Sequence, residues 1–235
     1  MSPCAFCRIA AAHPPVPPST YLHQSHTESK PHLDITEDGH AFLVLSTEHV
    51  LAFLDIMPLT RGHVLVVPRK HSEKISEIGV KMGRELGTWL PILSRVVMRT
   101  VFGESDTEPD PHSDTIVHKP GEALNDEAWN WNVVQNNGHG AAQVVPHVHF
   151  HIVPRPPLGA ASTSAKMSFI MFGRGQREDL DDEEAEELAG ELRRGVAKEV
   201  ARVREAEGID LEEGMGVGER GSDGKGGSGG GKGRL

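Results

Sequence analysis

Three short apolar runs, rich in β-branched residues, alternate with turn residues in the first third of the chain. They occupy residues 41–45, 50–56 and 63–68. Runs of this length and composition favour β-strands, and the short turns between them favour antiparallel neighbours. The pattern therefore predicts an antiparallel meander.

The apolar spacing becomes helical after this meander. Between Val80 and Phe102 the apolar side chains recur every three or four positions, as on one face of a helix. Pro91 lies inside the segment and is expected to kink the helix rather than end it. We expect this helix to pack on the sheet.

Two further strands are predicted near residues 128–134 and 147–153. In the second, three histidines alternate with three apolar residues. Because strand side chains point to the two faces in turn, the histidines would share one face and the apolar residues would face the core. The histidines are His147, His149 and His151.

The last part of the chain contains one amphipathic helix and a glycine-rich end. The helix is predicted within residues 176–208, with Asp181 or Asp182 as its N-cap and acidic residues near its positive end. Residues 209–235 are predicted to be disordered, because glycine, serine and scattered charges bury too little apolar surface to offset the ordering entropy.

The predicted fold class is α+β, with a sheet of about five strands, a long packing helix and an added C-terminal helix. We interpret residues 1–175 as one domain that carries two inserts, near 11–33 and 104–126, where prolines and polar residues replace apolar periodicity. The first insert is expected to contribute nothing stable to the core.

Charge and composition narrow the class of protein. The chain has 24 basic and 34 acidic residues, a net charge of −10, and no basic run with interleaved aromatics, which argues against a nucleic-acid partner. No apolar run approaches the ~20 residues of a membrane span, and the first residues do not resemble a signal peptide. These features predict a soluble intracellular protein without a membrane partner, in the cytoplasm, with the nucleus also open.

The only two cysteines, Cys4 and Cys7, form a C-x-x-C pair. In a reducing compartment this spacing favours metal or redox use over a structural disulfide. Two unpaired thiols near a frayed terminus are the alternative interpretation.

The histidine strand is the candidate chemical site. Same-face imidazoles in a strand would lie about 6.6 Å apart at their Cα atoms, so two or three could approach one phosphate-sized group. A polar strand face or a metal-binding H-x-H pair is the alternative.

The histidine strand and three other segments resemble the histidine triad (HIT) superfamily. The segments are residues 4–9, 51–56, 61–71 and 135–155. Several separated motifs in the same order make the resemblance specific. The ending Pro154-Arg155 is more similar to the fragile histidine triad and bacterial branches than to the phosphoramidase branch.

The resemblance implies a HIT-like fold, a homodimer and a nucleotide hydrolase. Its substrates would be adenosine phosphoric anhydrides or phosphoramidates, cleaved by double displacement without a catalytic metal. His149 would be the nucleophile, and His151 would bind phosphate oxygens or assist the leaving group. The implied supporting residues are His147 and His63 at the edge of the site, and Gln143 and Asn136 at the phosphate.

The resemblance also implies a purine pocket and a zinc site. Asp55 matches the position that accepts hydrogen bonds from the ribose, although it could equally cap a turn. The apolar pocket residues would be Phe6, Ile9, Phe53 and Ile56, each of which could be ordinary core. Cys4, Cys7, His71 and His147 match a structural zinc site of some bacterial members, and with zinc bound His147 would be a ligand rather than a free orienting residue.

Two positions depart from the family pattern. Val144 stands where Ser or Thr is common, and Ala142 replaces a common glycine. These departures leave open a non-catalytic nucleotide-binding or zinc-dependent adaptor of the same fold. The physiological substrate is open as well.

Overall fold

The fold is a five-stranded antiparallel sheet with helices around it, seen in a computed structural model that describes residues 4–22, 39–103, 129–155 and 180–213. Its strand order is β1-β2-β3-β5-β4, and every neighbouring pair is antiparallel. The predicted α+β class, meander and long helix are confirmed. The strands are β1 Leu43–Ser46, β2 Val50–Leu54, β3 Val64–Pro68, β4 Asn130–Gln135 and β5 Phe150–Arg155, and the helices are α1 Ala5–Ala12, α2 Val80–Phe102 and α3 Asp182–Glu207.

Helices α2 and α3 build the main hydrophobic core on one face of the sheet. Side chains from β2, β3 and β5 meet both helices in a single buried cluster. Full burial of such a side chain contributes roughly 1.5–3 kcal/mol, so α3 is an integral part of this core rather than a loose addition. The apolar residues that α3 supplies are Ala185, Leu188, Leu192, Val196 and Val200.

The ends and interior of these helices follow the sequence signals. The Asp181 side chain accepts hydrogen bonds from the backbone N–H groups of Glu183 and Glu184, which confirms it as the N-cap of α3. Pro91 lies inside α2 without ending it. Pro91 and Gly87 are both exposed, so water can hydrate the Gly87 carbonyl that loses its helical N–H partner.

The prediction that residues 11–33 contribute nothing stable is wrong for residues 13–22. His13 and Pro18 are buried, and the Val16 N–H donates to the Ser46 carbonyl at 2.8 Å. The proline-rich segment runs along the open edge of β1, where prolines are tolerated because few N–H donors are needed. The rest of this insert, and all of residues 104–126, lie outside the described residues.

The boundary of the predicted disordered tail is also corrected. Residues 209–213 form a turn after Gly208, and a Glu212 carboxylate oxygen accepts from the Ser19 N–H at 2.6 Å. A salt bridge also joins Glu212 to Arg204. Residues 214–235 lie outside the described part of the chain. None of the helices within the described ranges combines the length and apolarity that a membrane span needs.

The histidine strand begins later than predicted, at Phe150 rather than His147. Pairing with β3 ends at the Val66–Phe150 position. The preceding Val148 N–H leaves the sheet and donates to the Ser72 carbonyl at 2.7 Å. His147 and His149 therefore lie just before β5, on a segment that a neighbouring loop fixes in place.

Candidate active site and metal-ligand cluster

His149 and His151 lie side by side on the sheet face opposite α2. Their ring centroids are 4.9 Å apart, whereas Phe150 and Ile152 pack into the main core. The predicted alternation of chemical and apolar faces is therefore present for these two histidines. His147 turns away and joins a different cluster.

Hydrogen bonding selects the tautomer of His149. Its Nδ1–H donates to the His147 carbonyl at 2.6 Å, so the lone pair of the neutral ring resides on Nε2. Burial lowers the pKa of His149, and this effect exceeds the opposing influence of that hydrogen bond and of the Asp55 charge. In the described part of the chain, no group hydrogen-bonds to Nε2. The ring is thus a neutral base with an available nitrogen.

His63 orients His151 through a chain of hydrogen bonds. The Leu59 N–H donates to His63 Nδ1 at 3.1 Å, which leaves the proton on Nε2 of neutral His63. His63 Nε2 is 2.9 Å from His151 Nδ1 and donates to it. The proton of neutral His151 is consequently on Nε2, where it can be donated to a bound group.

Asp55 lies next to this histidine pair. Its Oδ2 is 3.4 Å from His63 Nδ1, and its Oδ1 accepts from the Met57 N–H at 2.9 Å. The structure therefore places the expected ribose acceptor beside the histidines, at the end of β2.

A buried apolar cluster lies between α1 and the histidine face of the sheet. Phe6 makes edge contacts with Phe53, at 5.5 Å between centroids, and with His149, at 5.3 Å. Ile9 packs against the same cluster, whereas Ile56 is 62% exposed and is not among its residues. Leu51, Leu65 and Val67 complete this surface. The sequence did not single them out, because their pattern is that of any buried strand.

Gln143 is buried, and both its amide oxygen and its amide nitrogen are hydrogen-bonded within the protein. Oε1 accepts from the Gly138 N–H at 2.5 Å, and Nε2 donates to the carbonyls of Glu73, at 2.7 Å, and His147, at 3.2 Å. It therefore joins the loop at Gly138 to the backbone of Glu73 and of His147, two residues before His149. The side chain of Asn136 makes no such bond among the described residues.

The two departures from the family pattern have different structural consequences. Ala142 has φ +64°, a left-handed conformation that favours glycine. Val144 is 88% exposed, so its missing hydroxyl leaves no buried gap. The strain at Ala142 is local to the loop.

Cys4, Cys7, His71 and His147 converge as the resemblance implied, and their geometry fits zinc. The two Nδ1 atoms are 3.3 Å apart, and the sulfur to Nδ1 distances are 3.4, 3.4 and 3.7 Å. Zinc bonds of about 2.0–2.3 Å in a tetrahedron require ligand separations of roughly 3.3–3.7 Å. His147 Nε2–H also donates to the Pro68 carbonyl at 2.8 Å, which leaves Nδ1 free of a proton and able to bind a metal.

Two polar residues on the histidine face were not identified from the sequence. Arg155, at the end of β5, donates from Nε to Asn132 Oδ1 on β4 at 2.7 Å. Arg155 had been noted only as part of the Pro154-Arg155 ending, and the signal for Asn132 was its alternation with apolar residues along β4.

Comparison with known proteins gives a consistent result. The HIT domain family matches residues 37–158. An uncharacterized HIT-like protein of Methanocaldococcus jannaschii is 35% identical over 142 residues, which are 60% of this chain and 84% of that protein. An adenosine 5'-monophosphoramidase of Schizosaccharomyces pombe is 36% identical over 106 residues, 45% of this chain and 58% of that one.

Among solved structures, a zinc-bound histidine triad family protein from Mycobacterium smegmatis aligns with 86% of this chain and 97% of its own, at 21% identity and a TM-score of 0.48. The match to the family over more than half of the chain, and the archaeal relative, agree with the histidine motifs and the sheet described above. This chain belongs to the HIT domain family.

Proposed function

We propose that the protein is a nucleotide hydrolase that cleaves adenosine phosphoric anhydrides or phosphoramidates through a nucleotidyl-His149 intermediate. The observation that carries the proposal is the fixed tautomer of His149, whose Nδ1–H is held by the His147 carbonyl. A neutral imidazole with its lone pair on Nε2 is a nucleophile ready for phosphorus. Membership in the HIT family and the phosphoramidase relative support the general class of activity.

In the first step, His149 Nε2 attacks the α-phosphorus and the bond from phosphorus to the leaving group breaks. The proton on His151 Nε2 passes to the leaving oxygen or nitrogen. In the second step, water attacks phosphorus, the phosphorus–nitrogen bond breaks, and the water proton returns to His151. The products are AMP, the protonated leaving group and the original enzyme.

The substrate's nucleoside would occupy the apolar surface beside His149. A purine can stack against Phe6 and Phe53, whose contact already adjoins the nucleophile. Asp55 would accept hydrogen bonds from the ribose hydroxyls. Asn136 has an amide that can turn to the phosphate, whereas Gln143 acts by holding the loop.

We also propose that Cys4, Cys7, His71 and His147 bind one structural zinc ion. The ion would join α1, which carries Phe6, to the sheet and fix the residue whose carbonyl orients His149. The homodimer implied by the family resemblance stays a prediction.

The test is the replacement of His149 by Asn. We expect turnover of diadenosine triphosphate and of AMP phosphoramidate to fall by about 10³-fold or more, with AMP binding still measurable. His40→Asn changes an exposed histidine at the start of the described sheet region and serves as the matched control. Hydrolysis that survives in His149→Asn would exclude this nucleophile. AMP binding by the wild-type protein without any hydrolysis would favour the adaptor instead.

A further inference from the structure

Arg155 has an unusual environment for a cation. Its Nη2 is buried and has no hydrogen-bond partner, the only such side-chain atom in the described residues. No carboxylate in that part of the chain forms a salt bridge with it, and its one side-chain hydrogen bond goes to neutral Asn132. Buried polar atoms almost always have partners, so an orphaned guanidinium nitrogen requires an explanation.

The register of the sheet places Arg155 on the same face as the catalytic histidines. His151 and Arg155 are four residues apart on β5, and side chains two or four apart share a face. Asn132 pairs with Val153, which lies between them on that face. The hydrogen bond to Asn132 therefore holds the guanidinium near the level of Val153 rather than at the end of the strand. Val153 lies two residues after His151, about 6.6 Å along β5.

The nucleoside subsite lies on the opposite side of the histidines. Phe53 belongs to β2, Leu65 to β3 and His151 to β5, in that order across the sheet. Arg155 and Asn132 lie on the same face but on the other side of His151, Arg155 at the end of β5 and Asn132 on the neighbouring strand β4. A substrate with its base at Phe6 and its α-phosphorus at His149 would direct its leaving group toward Arg155.

The positive charge and N–H groups of Arg155 favour a leaving group that carries negatively charged oxygens. Burial lowers the pKa of Arg155, but a guanidinium remains charged at neutral pH. Its N–H groups match the oxygens of a phosphate, and such charge-assisted bonds are stronger than neutral ones. An uncharged amine offers no oxygen for Nη2 and no charge to compensate the desolvated cation.

We propose that Arg155 is a specificity-determining residue that binds the distal phosphate of a nucleoside polyphosphate leaving group. The substrate class is then the phosphoric anhydrides, such as dinucleoside polyphosphates, in preference to phosphoramidates with neutral amines. This inference rests on the proposed function, because it assumes that hydrolysis occurs at His149. Asn132 is a positioning residue that holds the guanidinium by Nε.

The test compares two substrates that form the same intermediate. Diadenosine triphosphate releases ADP, whereas AMP phosphoramidate releases a neutral amine, and both leave the same AMP group on His149. In Arg155→Gln we expect kcat/KM for diadenosine triphosphate to fall about 10- to 100-fold, the range for one charged hydrogen bond. The value for AMP phosphoramidate should change less than about 3-fold. Arg155→Lys should recover part of the loss, because it restores the charge.

Arg84→Gln is the matched control, since it removes an exposed arginine from α2, on the other face of the sheet. An equal loss on both substrates, or no loss on either, would overturn the role of Arg155 while leaving the proposed function intact. A wild-type protein that hydrolyses neither substrate would overturn the proposed function, and the inference with it.

Equilibrium binding in the His149→Asn background provides a readout without turnover. Adding Arg155→Gln should weaken binding of diadenosine triphosphate about 10-fold or more and leave AMP binding unchanged, because AMP ends before the Arg155 subsite. A parallel loss of AMP affinity would show that Arg155 supports the pocket as a whole and would refute the subsite.

Discussion

Replacing Gln143 by Ala tests whether this residue holds the loop together or contacts the phosphate. The side chain is 4% exposed and makes three hydrogen bonds, to the Gly138 N–H and to the carbonyls of Glu73 and His147. A net value of about 1 kcal/mol for each bond gives a loss of about 3 kcal/mol in the free energy of unfolding. For a chain of this size, the melting temperature would fall by about 6–12 °C.

The assay is urea unfolding followed by circular dichroism, with hydrolysis measured on the same preparations. Gln135→Ala is the matched control, because Gln135 ends β4 where this loop begins, is only half-buried and makes its two side-chain hydrogen bonds within residues 135–137. We expect the control to lose about 1 kcal/mol or less. If Gln143→Ala unfolds at the wild-type urea concentration but hydrolyses poorly, the residue acts on the phosphate and our assignment is wrong.

Two further predictions concern the same loop and the metal cluster. Ala142→Gly should stabilise the protein by up to about 1 kcal/mol, because glycine removes the strain of φ +64°. Ala141→Gly, in the adjoining 3₁₀ turn, is the control and should not stabilise it. Equal melting temperatures for the wild type and Ala142→Gly would contradict this prediction. Elemental analysis should find one zinc ion per chain. Cys4→Ser should lose the zinc and have a lower melting temperature, because metal binding contributes to folding. A wild-type protein that binds no added zinc would refute the metal site.

The sequence predicted the regular elements where periodicity and end signals agreed. The bounds of α2 match the predicted segment, and Asp181 caps α3 as its side chain and the acidic first turn indicated. The strands of the meander were recognisable because their apolar runs are short and bounded by turns. These features depend on neighbours within a few residues, which the sequence displays directly.

The path of residues 13–22 could not be predicted in the same way. Its prolines and polar residues indicate a loop. The segment is ordered because it lies against the open edge of β1, and that contact is not visible in the local sequence. The start of β5 was predicted three residues early for a related reason. The Val148 N–H has a partner at Ser72, more than seventy residues away in the chain, and no local pattern reveals that contact.

The histidine motif by itself determined the family and the kind of chemistry, because three alternating imidazoles with their flanking segments constitute a local and specific pattern. Tertiary structure alone decided the different surroundings of each ring. His147 faces the cysteines, His149 receives its tautomer from a backbone carbonyl, and His151 receives its proton position from His63. The physical reason is that a neutral imidazole is defined by what each nitrogen contacts, and those contacts come from strands and loops distant in the chain. The unpaired Nη2 of Arg155 belongs to the same category, since the absence of a partner among the described residues is visible only in three dimensions.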